Sequence, residues 1–283
     1  ADQAGNAAYS AAAQVSQSFD VNAVVAGSPV IGSATAGDAQ ASVSFTAPAN
    51  NGGSAITSYT VTSSPDGLTA TGTSSPLTVT GLTNGTAYSF SVTATNSAGN
   101  SSSSSASNSV TPIGSQTITF SNPGAQSIGT SPTLTASASS GLAPSFTSST
   151  TDVCTVTSAG ALTFVTTGSC TINADQAGNA AYSAAAQVSQ TFDVNAVVAG
   201  APVIGSATAG DAQASVSFTA PANNGGSAIT SYTVTSSPGG LTATGTSSPL
   251  TVTGLTNGTA YTFSVTATNS AGTSSSSSAS NSV

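Results

Sequence analysis

The sequence contains no lysine, arginine, histidine, tryptophan, methionine or glutamate. Without Lys or Arg, no side chain can neutralise phosphate charge, which excludes nucleic acids and anionic membrane surfaces as partners. Without His, Lys or Glu, the only candidate general base for a serine nucleophile is aspartate, and no Gly-x-Ser-x-Gly elbow precedes a helix. The composition therefore predicts no catalytic residues and a protein that is not an enzyme.

Long hydrophobic runs are also absent from the chain. Stretches such as Ala23–Ala26 fall far short of the roughly 20 apolar residues that a membrane-spanning helix requires. We therefore expect no direct insertion into a membrane.

All charged side chains are aspartates, so the net charge of −8 reflects the missing cations. Pairs such as Asp2 and Asp20 are the nearest candidates for glycosidase carboxylates, but they lack an aromatic platform for a sugar. The stretch Asp175–Asn179 offers calcium one carboxylate and one amide, whereas calcium sites usually gather several carboxylates, and a polar turn is the preferred interpretation. We expect neither a metal site nor a cofactor.

What the sequence does contain is a long internal repeat. The segment that begins at Ala1 recurs from Ala174, a shift of 174 − 1 = 173 residues, and the likeness extends to Val110 and Val283. Five of these aligned positions differ: Ser18/Thr191, Ser28/Ala201, Asp66/Gly239, Ser89/Thr262 and Asn100/Thr273. A unit of this length is too long for a solenoid repeat, so each unit is predicted to hold two different sandwich domains.

Short alternating runs of Val, Ile, Thr, Tyr and Phe, separated by Gly, Asn and Pro, indicate an all-β chain. In the segment 28–112 the runs predict six strands: Val30–Thr35, Ala41–Thr46, Ile56–Ser63, Leu77–Thr80, Ala87–Thr95 and one near Ser105–Val110. Strands of this length, separated by turn residues, are typical of Greek-key β-sandwiches. The predicted fold class is a tandem array of such domains.

Three motifs in the segment 28–112 recur in its copy, 201–283: Ser42–Phe45, Ile56–Val61 and Leu82–Tyr88. Through them, both segments resemble bacterial fibronectin type III domains. The resemblance implies a tyrosine corner, a packed ring whose hydroxyl bonds the backbone, at Leu82/Tyr88 and Leu255/Tyr261. The family usually has Trp where this chain has Phe45 and Phe218, and these two residues are expected in the core. Alternation places Tyr59 and its copy Tyr232 there as well.

The segment 113–200 carries different motifs, among them Ile118-Thr119-Phe120, Asp152–Val156 and Gly168–Asp175. Through them it resembles a bacterial immunoglobulin-like repeat of large surface proteins. The resemblances together imply a fibronectin type III-like domain at 28–112, an immunoglobulin-like domain at 113–200 and a second fibronectin type III-like domain at 201–283. Residues 1–27 are then the truncated C-terminal part of an immunoglobulin-like domain, followed by a linker.

Cys154 and Cys170 are the only cysteines, and they lie on two predicted strands. A disulfide between them is the leading interpretation, and it would indicate an oxidising compartment outside the cytoplasm. A zinc site is the alternative, but two thiolates without His or further Cys form an incomplete ligand set.

The polar motifs of the chain have two interpretations. Asn84-Gly85-Thr86, Asn257-Gly258-Thr259 and Asn100-Ser101-Ser102 match the N-glycosylation pattern, and Ser101–Ser105 offers hydroxyls for O-linked sugar. Asn-Gly is also typical of tight turns, and a serine run of solvated loops. We prefer the turn and loop interpretations.

These features predict a structural, non-catalytic repeat region that forms an extracellular stalk, fibre or filament of a bacterial surface, adhesin or biofilm protein. The alternative is a set of accessory spacer modules in a secreted polysaccharide-degrading enzyme. We expect self-association or longer copies of the same array as partners, and no adhesion ligand is identified.

The run Ala13–Val21 is predicted to be a strand, and alone it cannot bury the side chains of Val15, Phe19 and Val21. Either the sequence is a window of a longer polypeptide, or this strand completes a sandwich in a neighbouring subunit.

Overall fold

The computed structural model describes residues 1–283 and contains 22 strands and no helix. The all-β prediction is confirmed, and no element has the length and apolarity of a membrane-crossing helix. The chain divides into two compact units, which are described separately: residues 1–115 with 178–183, and residues 116–177 with 184–283.

The first sandwich lies in the first unit and contains seven strands: β1 (Val30–Ala36), β2 (Gln40–Thr46), β3 (Ser58–Ser64), β4 (Thr69–Gly72), β5 (Leu77–Thr80), β6 (Ser89–Asn96) and β7 (Gly99–Asn100). They form two antiparallel sheets, with strand orders β1-β2-β5 and β4-β3-β6-β7. Every second residue of β6 is buried, as expected of a strand with one face on a core. Strand β4 was not predicted, because its four residues lie between turn signals.

The second unit begins with the middle domain, whose strands are β8 (Ile118–Phe120), β9 (Gln126–Ser127), β10 (Ala136–Ala138), β11 (Ser145–Ser148), β12 (Cys154–Val156), β13 (Leu162–Phe164), β14 (Gly168–Asp175) and β15 (Val188–Asn195). Its main sheet has the order β11-β14-β15-β9, with β9 parallel to β15. The pairs β10-β8 and β12-β13 form two smaller sheets. Four phenylalanines meet edge to face in its core as two pairs, Phe120 with Phe146 and Phe164 with Phe192.

The third sandwich follows in the second unit and repeats the topology of the first. Its strands are β16 (Val203–Gly210), β17 (Gln213–Thr219), β18 (Ser231–Ser237), β19 (Thr242–Gly245), β20 (Leu250–Thr253), β21 (Thr262–Asn269) and β22 (Gly272–Thr273). The sheets have the orders β16-β17-β20 and β19-β18-β21-β22. The two near-identical sequences therefore form the same sandwich twice.

The N-terminal segment, residues 1–22, forms no strand, and the prediction of a strand at Ala13–Val21 is wrong for this chain. The side chains of Val15, Phe19 and Val21 are exposed, and that of Phe19 is 84% exposed. The repeated residues Val188–Asn195 form β15, which pairs with β14 and β9. The physical reason is that a strand needs neighbouring strands for its backbone bonds, and the first unit offers none to residues 13–21.

The serine-rich segment 101–110 is neither the strand nor the solvated loop that the sequence suggested. Four of its N–H groups, spaced three residues apart, donate to carbonyls of β6 and the residue before it: Ser101 to Ala94, Ser104 to Val92, Ser107 to Phe90 and Val110 to Tyr88. Three N–H groups of β6 donate back to serine hydroxyls, at 3.0–3.1 Å: Ala94 to Ser101, Val92 to Ser104 and Phe90 to Ser107. Only Val110 forms a β-bridge.

The spacing explains why serine is used here. A segment that advances three residues for every two of its neighbour cannot present a carbonyl opposite each N–H, so a side-chain oxygen serves as the acceptor. The amide of Asn108 ties the same segment to β1, accepting from the Ala34 N–H and donating to the Ala34 carbonyl. Residues 274–283 repeat this arrangement in the third sandwich.

The substitution Ser101→Ala is expected to lower the free energy of unfolding of the first sandwich by about 1–3 kcal/mol. It removes the acceptor of the Ala94 N–H at a position where the serine is buried. Ser103→Ala is the matched control, because the Ser103 side chain is exposed and forms no hydrogen bond, and a change within about 0.5 kcal/mol is expected. Denaturant unfolding of both variants provides the measurement. Equal losses of stability in the two variants would contradict a stabilising role for the serine hydroxyls that accept from β6.

Candidate functional site

The carboxylates do not gather into a site. No group of three His, Cys, Asp or Glu side chains has the arrangement that a metal ion needs. In the candidate calcium stretch, Asp175 accepts a hydrogen bond from Gln187 at 2.8 Å. The carbonyl oxygen of the Asn179 side chain accepts from the N–H groups of Ala181 and Tyr182, which is the geometry of a polar turn.

Cys154 on β12 and Cys170 on β14 form a disulfide, with Cα atoms 5.8 Å apart. Both residues are fully buried among the phenylalanines of the middle domain. The bond ties the small β12-β13 sheet to the four-stranded sheet. No cysteine is left as a free thiol or as a metal ligand.

The predicted core aromatics lie between the two sheets of each sandwich. Phe45 on β2 contacts Tyr59 on β3, with ring centroids 4.9 Å apart, and Phe218 and Tyr232 repeat this contact at 4.8 Å. All four side chains are buried. Phe45 and Phe218 stand where the fibronectin type III family usually has Trp. In this chain each of them joins the two sheets together with a tyrosine of the opposite sheet.

The tyrosine corners differ between the two sandwiches. The hydroxyl oxygen of Tyr88 accepts from the N–H of Thr83 at 3.1 Å, and the hydroxyl donates to the carboxylate of Asp66 at 2.6 Å. In the third sandwich, the oxygen of Tyr261 accepts from Thr256 in the same way. Glycine 239 replaces the aspartate there, so one of the five sequence differences removes this acceptor. Leu82 and Leu255 are buried beside these rings.

A joint that the sequence did not reveal connects the middle domain to the third sandwich. The side-chain amide of Asn269, at the end of β21, donates to the carbonyls of Val197 and Asn224, both at 2.8 Å. The N–H of Val197 donates to the carbonyl of Gly225. A Cβ atom on Gly225 would lie 2.0 Å from the Val197 oxygen, so only glycine allows this approach.

The same joint also contacts the middle domain. The Thr167 hydroxyl donates to the carbonyl of Gly226 at 3.1 Å, and Ile128 packs against Gly226. Ala199, within the connecting segment, is buried in the core of the third sandwich. The connection is therefore part of a folded unit and not a free linker.

The first sandwich holds residues 24–27 by the same means. Asn96 donates to the carbonyls of Val24 and Asn51, at 2.7 and 2.8 Å. The sequence gives little indication of this role for Asn96 and Asn269. A single asparagine after an alternating strand also fits an ordinary turn.

The Asn-Gly pairs form turns in which the asparagine side chain both donates and accepts a hydrogen bond. The Asn84 amide donates to Asp38 at 2.8 Å, and its oxygen accepts from the Ala39 N–H at 2.8 Å. Asn257 makes the same contacts with Asp211 and Ala212. These bonds support the turn interpretation of the glycosylation-like pattern.

Comparison with known proteins gives one family and several structural likenesses. The model of the fibronectin type III domain matches residues 29–110 and 201–283. No curated protein sequence matches the chain. Among solved structures, the chain is similar to the FN1–FN3 domains of chicken CNTN1, with 16% identity, coverage of 91% of this chain and 98% of that chain, and a TM-score of 0.30.

Two further likenesses are of the same kind. Domains A168–A170 of titin are 18% identical, over 91% of this chain and 99% of that chain, with a TM-score of 0.33. The kinase region of twitchin from C. elegans is 23% identical, over 38% of this chain and 21% of that chain, with a TM-score of 0.29.

Proposed function

Since the chain belongs to the fibronectin type III family through two domains, we propose that it is a structural, non-catalytic repeat region of an extracellular bacterial stalk, fibre or filament. In this proposal the middle segment, 113–200, is an immunoglobulin-like domain that alternates with fibronectin type III domains at 28–112 and 201–283. Residues 1–27 belong to a further immunoglobulin-like domain and its linker. The setting is a surface, adhesin or biofilm protein.

The joint around Asn269 is the observation that carries this proposal. A spacer keeps its ends apart only if successive domains do not pivot freely, and free pivoting is the ordinary behaviour of domains joined by exposed linkers. Here the connecting segment is held by the side-chain amide of Asn269, which donates to the Val197 carbonyl, and by the buried Ala199. The backbone N–H groups of Val197 and Gly200 also donate to the third sandwich, at Gly225 and Asn223. A stiff connection suits a mechanical element.

Other features support a place outside the cell. The disulfide forms and persists in oxidising compartments. The chain has no Lys or Arg, and therefore no site for a protease that cleaves after these residues.

Every buried side-chain polar atom has a hydrogen-bond partner, as in a well-ordered fold. In this proposal the partners are further copies of the array.

The joint is tested by the rotational motion of its two domains. In the parent chain we expect the middle domain and the third sandwich to tumble as one body in solution, measured by ¹⁵N relaxation of their backbone amides. The substitution Asn269→Ala removes the side-chain bond to Val197 in the connecting segment and the bond to Asn224 in the adjoining loop, and should allow the two domains to tumble at different rates.

Asn96→Ala is the matched control for this experiment. It removes the equivalent bonds in the first sandwich and should leave the common tumbling of the other two domains unchanged. Independent tumbling in the parent chain would refute the stiff-spacer proposal. A stability measurement on the Asn269 variant separates loosening of the joint from unfolding of the third sandwich.

A further inference from the structure

The chain enters and leaves the first sandwich along two segments that lie side by side. It enters through Ser28 and β1, and it leaves through the serine-rich segment 101–110. Ser28 contacts Ser102, and Ala34 contacts Asn108, and each contact joins residues 74 positions apart. Because the separation is the same in both contacts, the two segments run in the same direction.

Two segments that run in the same direction are loaded in shear when the chain is stretched. Tension pulls β1 back towards its first residue and pulls the serine-rich segment onwards past Val110. The segments are drawn past each other, and all the bonds between them bear the load together. Strands pulled apart from one end lose their bonds one after another instead. A few bonds in the shear arrangement therefore resist more tension than the same bonds in a peeled hairpin.

Three hydrogen bonds join these two segments. The side-chain oxygen of Asn108 accepts from the Ala34 N–H at 2.8 Å, and its amide donates to the Ala34 carbonyl at 3.1 Å. The hydroxyl groups of Ser28 and Ser102 lie 3.1 Å apart. Ala34 is buried, so the bonds to its backbone are partly shielded from water.

The Asn108 bonds also join the two sheets of the sandwich. Strand β1 belongs to the sheet β1-β2-β5, whereas the serine-rich segment is bonded to β6 in the other sheet. The N–H and C=O of a strand residue usually bond to the backbone of a neighbouring strand. Here a single side chain takes both places, in a segment whose own backbone bonds are directed to β6.

We propose that Asn108 is a mechanical clamp of the first sandwich. When the chain is under tension, load passes from β1 through the Asn108 amide to the segment that leaves the domain, and the core between the sheets is bypassed. The domain lengthens only after these bonds break. The inference goes beyond the stiff spacer, because the joint at Asn269 opposes bending between domains and the clamp opposes extension of one domain.

The third sandwich contains the same clamp. The side chain of Asn281 accepts from the Ala207 N–H at 2.8 Å and donates to the Ala207 carbonyl at 3.1 Å. Ala201 replaces Ser28 there, so the hydroxyl contact of the first sandwich has no counterpart. The bonds of the asparagine are therefore the part of the contact that the two sandwiches share.

The experiment stretches single molecules of the whole chain at constant force, with handles at its two ends. Each sandwich should unfold in a step of similar length. The middle domain should give a shorter step, because its disulfide keeps residues 154–170 from extending. Forced unfolding reports the unfolding rate. With Asn108→Ala, we expect one of the two sandwich steps to occur about tenfold sooner at the same force, and the other to stay at the parent rate.

Two control variants separate the clamp from ordinary stability. Ser109→Ala changes the next residue, which is exposed and forms no hydrogen bond, and should leave both sandwich steps unchanged. Val79→Ala removes buried side-chain atoms from β5, away from the path of the load. In denaturant it should destabilise the first sandwich at least as much as Asn108→Ala does. Under force it should accelerate unfolding less than Asn108→Ala.

Asn281→Ala repeats the test in the second copy of the domain. Combined with Asn108→Ala, it should bring both sandwich steps to the faster rate. Parent rates in the Asn108 variant, or an equal or larger acceleration by Val79→Ala, would overturn the clamp. These outcomes leave the common tumbling of the middle domain and third sandwich unaffected, so the clamp and the stiff spacer fail separately.

Discussion

Replacing both cysteines, as Cys154→Ala with Cys170→Ala, is expected to lower the free energy of unfolding of the middle domain by about 3 kcal/mol. The bond closes a loop between residues 16 positions apart, and its removal returns to the unfolded chain the freedom that the crosslink denied it. Strands β12 and β13 pair only with each other, so the disulfide is their one covalent crosslink to the main sheet apart from the continuous backbone.

Hydrogen exchange followed by mass spectrometry measures this loss within the intact chain. Amides of β12, β13 and β14 should exchange faster in the double variant, while amides of β6 and β21 in the two sandwiches should be unaffected. The sandwiches thus provide an internal control. Unchanged exchange in all three strands of the middle domain would contradict a stabilising role for the bond.

The second large effect is expected at Phe192, which is 5% exposed and packs against Phe164 at a ring-centroid distance of 6.4 Å. The substitution Phe192→Ala removes a buried ring and leaves a cavity, with an expected loss of about 3–5 kcal/mol from the stability of the middle domain. Its repeat counterpart, Phe19, supplies the matched control. Phe19→Ala alters the same local sequence at an exposed position and should change stability by less than about 0.5 kcal/mol.

Denaturant unfolding of the two phenylalanine variants gives the comparison. A loss of similar size for Phe19→Ala would mean that the N-terminal segment is packed in solution, contrary to its exposure in the structure. A small loss for Phe192→Ala would mean that the core of the middle domain closes around the missing ring.

Local periodicity explains which parts of the fold could be predicted. In β2, β3 and β6 the alternation of apolar and polar side chains places every second residue on the core, and this pattern is visible in the sequence alone. Phe45 and Tyr59 were placed in the core on that ground and by resemblance, and both are buried. The two cysteines on predicted strands, without His or further Cys to complete a zinc site, suggested the bond that the structure contains.

The serine segment could not be predicted because its hydrogen bonds follow a period of three residues against a neighbour with a period of two. Nothing in the run 101–107 distinguishes a solvated loop from a ladder until β6 is beside it. The polar hydroxyl of Ser101 is buried for that reason.

By itself, the sequence determined that this chain is an all-β repeat with two copies of one domain, without the cations that nucleic acids or anionic membranes require. It could not decide what becomes of two nearly identical segments. Residues 15–22 and 188–195 differ at one position, yet the first are exposed and the second form β15. The tertiary structure decided this, because a strand forms only where neighbouring strands offer their backbone groups. Residues 188–195 lie beside β14 and β9, whereas residues 15–22 have no strand beside them.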